Sequence, residues 1–256
     1  MNRNDGGTRL DRAVHQLMSA RRSRKWLGAL SADAMPQTID EAFIIQDGLM
    51  VRLGGRGGWK VGASSPTATP GCAPLATRLI YRESATLSAS AFNFIGIEAE
   101  IAFKFAATLD RADRPYSTDE VLAAVASVHP GIEIADSRFI DFRSRSALEQ
   151  AADCGNNGAY ILGPASTTAH PHIDQTTVSA EVWVDGKLIA AKTGGNTAGN
   201  VQRLLTWLAN HCAARGTPIG AGDIVTSGSC TGLEIIQRGN VRAVLSGLGE
   251  VGVTLV

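Results

Sequence analysis

Apolar residues recur along the first part of the chain at helical spacing. Leu10, Val14, Leu17 and Met18 fall on one face of a helix, because residues three and four apart are neighbours at 3.6 residues per turn. That helix runs into Arg21-Arg22-Ser23-Arg24-Lys25, a basic end that suits the negative pole of the helix dipole. Thr38 and Glu41 have capping-box spacing and open a second helix through Phe43, Ile44 and Leu49, which stops in Gly54-Gly55-Arg56-Gly57-Gly58. A short strand, Trp59-Lys60-Val61-Gly62, follows. Residues 63–79 hold three prolines and many small residues and read as a loop over or beside a site.

From about Phe92 the period changes from helical to alternating. Ile97, Ala99, Ile101, Phe103 and Phe105 occupy one face of a strand, with Glu98, Glu100, Ala102 and Lys104 on the other. Ser117 and Glu120 cap a helix over residues 121–128 that ends before Pro130. Gly131-Ile132-Glu133-Ile134-Ala135 reads as a second strand, and residues 181–190 as a hairpin about Asp185-Gly186. Val201, Leu204, Leu205, Leu208 and Cys212 line one helix face, residues 223–227 form a strand, and one or two more strands close the chain. The pattern predicts an α+β fold, with a smaller, mainly helical portion over residues 1–80 and a β-rich body over residues 81–256.

Composition narrows the function. The chain is 44% hydrophobic and 19% charged over 256 residues, which is globular rather than disordered. Lys and Arg number 24 against 24 Asp and Glu, so there is no electrostatic case for nucleic acid or an anionic membrane. No apolar run approaches the roughly 20 residues of a membrane span, and the polar N-terminus lacks the apolar core of a signal peptide. Cys72, Cys154, Cys212 and Cys230 form no C-x-x-C pair and read as free thiols in a reducing compartment. The expectation is a cytoplasmic protein acting on something small.

Glu98 and Glu100 carry the strongest chemical signal. Residues i and i+2 of a strand share a face, about 6–7 Å apart at Cα, and two like charges there are costly unless a cation neutralises them. Oxygen ligands favour a hard divalent cation, although the same spacing also fits a solvated strand face. Glu133, between Ile132 and Ile134, adds a third carboxylate, and three inward carboxylates would leave coordination positions for water or a bidentate substrate. Asp136 either hydrogen-bonds a ligand or pairs with Arg138. Lys60 is either an ordinary solvated lysine or a base or carboxylate clamp whose pKa burial would lower. The turn Thr226-Ser227-Gly228-Ser229 either holds a substrate oxygen or is only a turn. No phosphate loop, G-x-S-x-G elbow or H-E-x-x-H pair occurs. His170 and His172 read as surface residues.

The order Lys60-Val61-Gly62, then Gly96-Ile97-Glu98-Ala99-Glu100-Ile101-Ala102-Phe103, then Pro130-Gly131-Ile132-Glu133-Ile134-Ala135-Asp136-Ser137-Arg138 resembles the fumarylacetoacetate hydrolase superfamily. Within it, the chain is similar to the branch of 2-oxopent-4-enoate hydratases and 4-oxalocrotonate decarboxylases. Asn156-Asn157-Gly158-Ala159-Tyr160, Trp207-Leu208-Ala209-Asn210, Gly222-Asp223-Ile224-Val225-Thr226-Ser227-Gly228 and Gly247-Leu248-Gly249-Glu250-Val251 also match, so the resemblance runs from about Leu10 to Val256. It implies a mixed β-roll catalytic body around Mg²⁺ or Mn²⁺ held by Glu98, Glu100 and Glu133, with the active-site loop in the N-terminal portion. It also implies a 2-oxo acid substrate, a metal-stabilised enolate, Lys60 as catalytic residue, and Ser227, Gly228 and Asn157 as substrate contacts.

Two departures bear on the reaction. The hydratases place an Asp in the loop after K-x-G, whereas Gly71-Cys72-Ala73-Pro74-Leu75-Ala76 has no acid; Glu83 and Asp136 are candidates to supply one. Where relatives often carry Ser, Asp153-Cys154-Gly155-Asn156-Asn157 offers Asn. The resemblance therefore implies a divalent-metal lyase, hydratase or decarboxylase, acting on short unsaturated 2-oxo acids or 2-hydroxydienoates of aromatic catabolism. A C–C hydrolase of acylpyruvate type and an impaired member serving as a partner protein are the alternatives. The expected assembly is a homo-oligomer, with a second lyase of the pathway as a possible associate.

Overall fold

The computed structural model describes residues 7–111, 113–168, 171 and 173–256. His170, His172 and the first six residues lie outside the described residues. Among those described, no helix is long and apolar enough to cross a membrane.

The strands in chain order are β1 (Arg56–Gly62), β2 (Gly71–Ala76), β3 (Ile80–Arg82), β4 (Ala85–Leu87), β5 (Ile95–Phe105), β6 (Val125–Ala135) and β7 (Asn157–Leu162). They continue with β8 (Ser179–Val184), β9 (Lys187–Thr193), β10 (Ile224–Ser229), β11 (Glu234–Ile236), β12 (Gly239–Leu245) and β13 (Gly249–Leu255). The helices are α1 (Arg9–Ser23), α2 (Ile39–Arg52), α3 (Thr118–Ala123), α4 (Ala147–Ala152) and α5 (Val201–Ala214). The larger sheet runs β2-β1-β10-β5-β6-β7-β3 with β11 also on β5; the smaller runs β4-β13-β12-β8-β9. Both sheets mix parallel and antiparallel pairs, both are open, and the fold is α+β.

Helix α1 starts at Thr8, whose side chain and that of Asp11 cap each other's backbone N–H. Helix α2 starts at Thr38, which accepts from Glu41 N. The reciprocal half of the expected box is absent, because Glu41 accepts from Gln37 N and Arg9 instead. Leu17, Met18, Ile45 and Leu49 form a cluster of their own with Ala73, Ala76 and Phe139. The main core lies between the two sheets and under α5, which buries Val201, Leu204, Leu205, Leu208 and Cys212 on one face.

Two segments differ from expectation. The loop expected over residues 63–79 contains β2, antiparallel to β1. Its Pro74 is tolerated because β2 is an edge strand, where a missing N–H need cost no ladder bond. The helix expected over 121–128 stops at Ala123, and β6 begins at Val125. Pairing with the long strand β5 outweighs local helix preference there. Pro130 sits inside the ladder opposite Ile101, and its carbonyl accepts from Gly163 N at 2.9 Å.

Candidate metal and substrate site

The alternation of β5 puts Glu98 and Glu100 on one face, and the antiparallel register sets Glu133 of β6 directly opposite Glu98. One carboxylate oxygen from each of Glu98, Glu100 and Glu133 lies within 4.8 Å of the others. Glu133 is fully buried and Glu100 nearly so. Burial, then the charges of Glu133 and Glu98, push the Glu100 carboxyl well above the usual carboxylate range. Burial and Glu133 also raise Glu98.

Lys60, on β1, is drawn into this cluster. Its Nζ donates to Glu133 Oε1 at 2.6 Å and to the Gly155 carbonyl at 3.1 Å. Burial alone would lower its pKa, as expected from the sequence, but Glu133, Glu100 and Glu98 outweigh it and hold the ammonium above the ordinary lysine value. Asn157 Nδ2 donates to the same Glu133 Oε1 at 3.0 Å, and Thr226 Oγ1 donates to Glu100 Oε2. The supports on these atoms leave Glu133 Oε2 buried without a hydrogen-bond partner. Three hard oxygen donors with one orphaned, against a single nearby ammonium, fit a divalent cation such as Mg²⁺ or Mn²⁺.

A cavity of about 560 Å³ opens over the carboxylates. Lys60, Glu98, Glu100 and Glu133 line it from the larger sheet. Lys192, at the end of β9, and Asn196 and Thr197, in the segment after it, contribute as well. Gly228 and Ser229 also line it, whereas Ser227 turns away and donates to the Ile101 carbonyl at 3.1 Å. The cause is a register shift in β10 between Thr226 and Ser229, with Gly228 at φ +86°. A bulge changes which residues face a given side, so Thr226 meets Glu100 and Ser229 faces the cavity. Asn196 Nδ2 donates to the Ser227 and Gly228 carbonyls at 2.8 and 3.1 Å and holds this bulge.

Asp136 takes the structural alternative. It is buried, accepts from Asn93 N at 2.9 Å and pairs with Arg138, which also donates to Asp153 and to the Asn157 carbonyl. Neither Asp136 nor Glu83 lines the cavity, so neither replaces the acid missing from the loop after Lys60. Lys192, Asn196, Thr197 and Ser229 carry no motif in the sequence; only the fold brings them to the carboxylates.

A family model described as fumarylacetoacetate (FAA) hydrolase C-terminal matches residues 67–256. The chain is 27% identical over 254 residues to the 2-keto-4-pentenoate hydratase of Paraburkholderia xenovorans (strain LB400), covering 94% of this chain and 93% of that one. It is 26% identical to the 2-hydroxyhexa-2,4-dienoate hydratase of Comamonas testosteroni, over 91% and 92% of the two chains. A shorter match, 28% over 60% of this chain and 58% of the other, is to a 4-oxalocrotonate decarboxylase of Pseudomonas sp. Among solved structures, the 4-oxalocrotonate decarboxylase from Pseudomonas putida G7, complexed with magnesium and adipate, shares the fold. Its TM-score is 0.83 at 24% identity, with 97% of each chain covered.

Proposed function

The chain belongs to the fumarylacetoacetate hydrolase family, and on that premise we propose that it is a divalent-metal-dependent lyase, a hydratase or decarboxylase of short unsaturated 2-oxo acids. The observation that carries this reading is the buried cluster of Glu98, Glu100 and Glu133 with Lys60 at the base of one cavity. Relatives named as hydratases and a decarboxylase of such acids support the substrate class.

The three glutamates would hold the cation, which when bound would supply Lewis-acid stabilisation of negative charge developing on the substrate's oxygens. Lys60, from the N-terminal portion over residues 1–80, meets glutamates from the body over residues 81–256. Its ammonium is steered by Glu133 and by the Gly155 carbonyl. There it binds the substrate carboxylate or delivers a proton to carbon. Asn157 keeps Glu133 in place, and the Gly228-Ser229 turn borders the substrate. No histidine lines the cavity among the described residues, so the His–Glu pair that would activate water for acylpyruvate-type hydrolysis is not at hand there. With this reading goes a homo-oligomeric state, which sedimentation velocity tests. Free thiols at all four cysteines suit a reducing cytoplasm.

The test is a panel of 2-hydroxydienoates and 4-oxalocrotonate followed by ultraviolet absorbance with and without Mg²⁺. Release of CO₂ identifies a decarboxylase and formation of a hydroxy-oxo acid a hydratase. Pyruvate plus a carboxylate identifies a hydrolase and overturns the lyase reading.

A further inference from the structure

We propose that Lys192 is a specificity-determining residue that selects 2-oxo acids carrying a second carboxylate at the end remote from the oxo group. This rests on the lyase reading of the site and deepens it.

Two lysines line the cavity. Lys60 is committed to Glu133 and the Gly155 carbonyl. The side chain of Lys192, among the described residues, has no carboxylate partner and no hydrogen bond, its backbone being taken up in the β8–β9 ladder. Among the described residues, the acids lining the cavity are Glu98, Glu100 and Glu133 alone. Lys192 comes from β9, the edge strand of the smaller sheet, whereas Lys60 and the glutamates come from the larger one.

The ammonium lies beside a glycine turn of the cavity wall. Nζ lies 3.1 Å from the point a Cβ on Gly232 would occupy. Gly232 has φ +86°, and its N–H donates to Ser229 Oγ at 2.8 Å. The Ser229 hydroxyl in turn donates to the Gly232 carbonyl at 3.2 Å. A side chain at position 232 would press on the ammonium, and glycine leaves it room beside the cavity.

The substrate's orientation follows from the chemistry of the two ends. Its carboxylate and 2-oxo oxygens belong with the glutamates and their cation, so a cation elsewhere on the cavity wall meets the remainder of the molecule. An apolar tail leaves Lys192 with nothing to bind, whereas a terminal carboxylate gains a charge-assisted hydrogen bond. Lys192 is an exposed residue, and solvent screening keeps its effect to roughly two- to fivefold.

The ligands for the test are 2-oxohexanedioate and 2-oxohexanoate, which differ only in the terminal carboxylate. Calorimetry with the Mg²⁺-loaded protein should show roughly two- to fivefold tighter binding of the diacid, and the preference should shrink as ionic strength rises. Lys192→Met should abolish the preference by weakening the diacid alone, and Lys192→Arg should keep most of it. A Lys192→Met protein that retains the preference, or that weakens both ligands equally, overturns the proposal while Mg²⁺-dependent binding leaves the lyase reading standing. Absence of binding, or binding indifferent to Mg²⁺, removes the lyase reading and the proposal with it.

Discussion

Replacing Glu100 by Gln separates the electrostatic cost of the site from its function. The substitution keeps the shape of a nearly fully buried side chain and its hydrogen bond from Thr226. Carboxylate oxygens within 4.8 Å of one another repel by at least about 3 kcal/mol per ionised pair at an effective dielectric near 20. Glu100 faces two such neighbours, Glu98 and Glu133, and one cation, Lys60, so the net strain in the metal-free protein is about one pair's worth. Wild type escapes part of it by protonating Glu100, whose pKa is raised. A carboxyl with a raised folded-state pKa loses stability as pH climbs from its unfolded value through the folded one. Metal-free Glu100→Gln should therefore be more stable than metal-free wild type by about 1–3 kcal/mol at pH 8. That corresponds to roughly 2–4 °C in Tm per kcal/mol for a chain of this size. The difference should shrink as pH falls toward 5. With Mg²⁺ the order should reverse, because wild type gains binding free energy that the variant has lost. Thermal melts in EDTA and in Mg²⁺ across that pH range check this. A metal-free variant less stable than wild type at pH 8, or one still stabilised by Mg²⁺ to the wild-type extent, would refute the electrostatic reasoning.

Three other substitutions or reactions follow from the same geometry. Lys60→Met should lower kcat by about 10²-fold or more and destabilise the metal-free protein by about 3–5 kcal/mol, since Glu133 loses its buried partner; steady-state kinetics and melts in EDTA read both. Asn157→Ala removes the amide that holds Glu133 Oε1 and should weaken Mg²⁺ binding about 10–100-fold in calorimetry. Among the cysteines, Cys72 should alkylate first at pH 7, as followed by peptide mass spectrometry. It is the least buried of the four, and its neighbours Cys212, His211 and Arg215 outweigh burial and lower its pKa to about 6.

Legibility in the sequence tracked how local each determinant is. The face of β5 that carries Glu98 and Glu100 follows from a period of two within one segment. The meeting of Glu133 with Glu98 depends on long-range register, which alternation alone does not set; the resemblance, not the spacing, pointed to it. Strand β2 was hidden by Pro74, since an edge position tolerates what a central strand does not. The start of β6 was hidden by a good helix cap at Ser117. The exchange of Ser227 for Ser229 comes from the bulge at Gly228, a one-residue change of phase. Lys192 and Asn196 lie far along the chain from the glutamates and reach the cavity only through sheet packing, so no local pattern marks them.

The most direct measurement is turnover of 2-hydroxydienoates and 4-oxalocrotonate by the purified chain, followed by ultraviolet absorbance in Mg²⁺ and in EDTA, beside Glu100→Gln and Lys60→Met. The expected result is Mg²⁺-dependent loss of substrate absorbance in wild type, with both variants reduced by about 10²-fold or more. Turnover that ignores EDTA, or that survives in Glu100→Gln, would contradict the assignment of the three glutamates as the seat of the reaction.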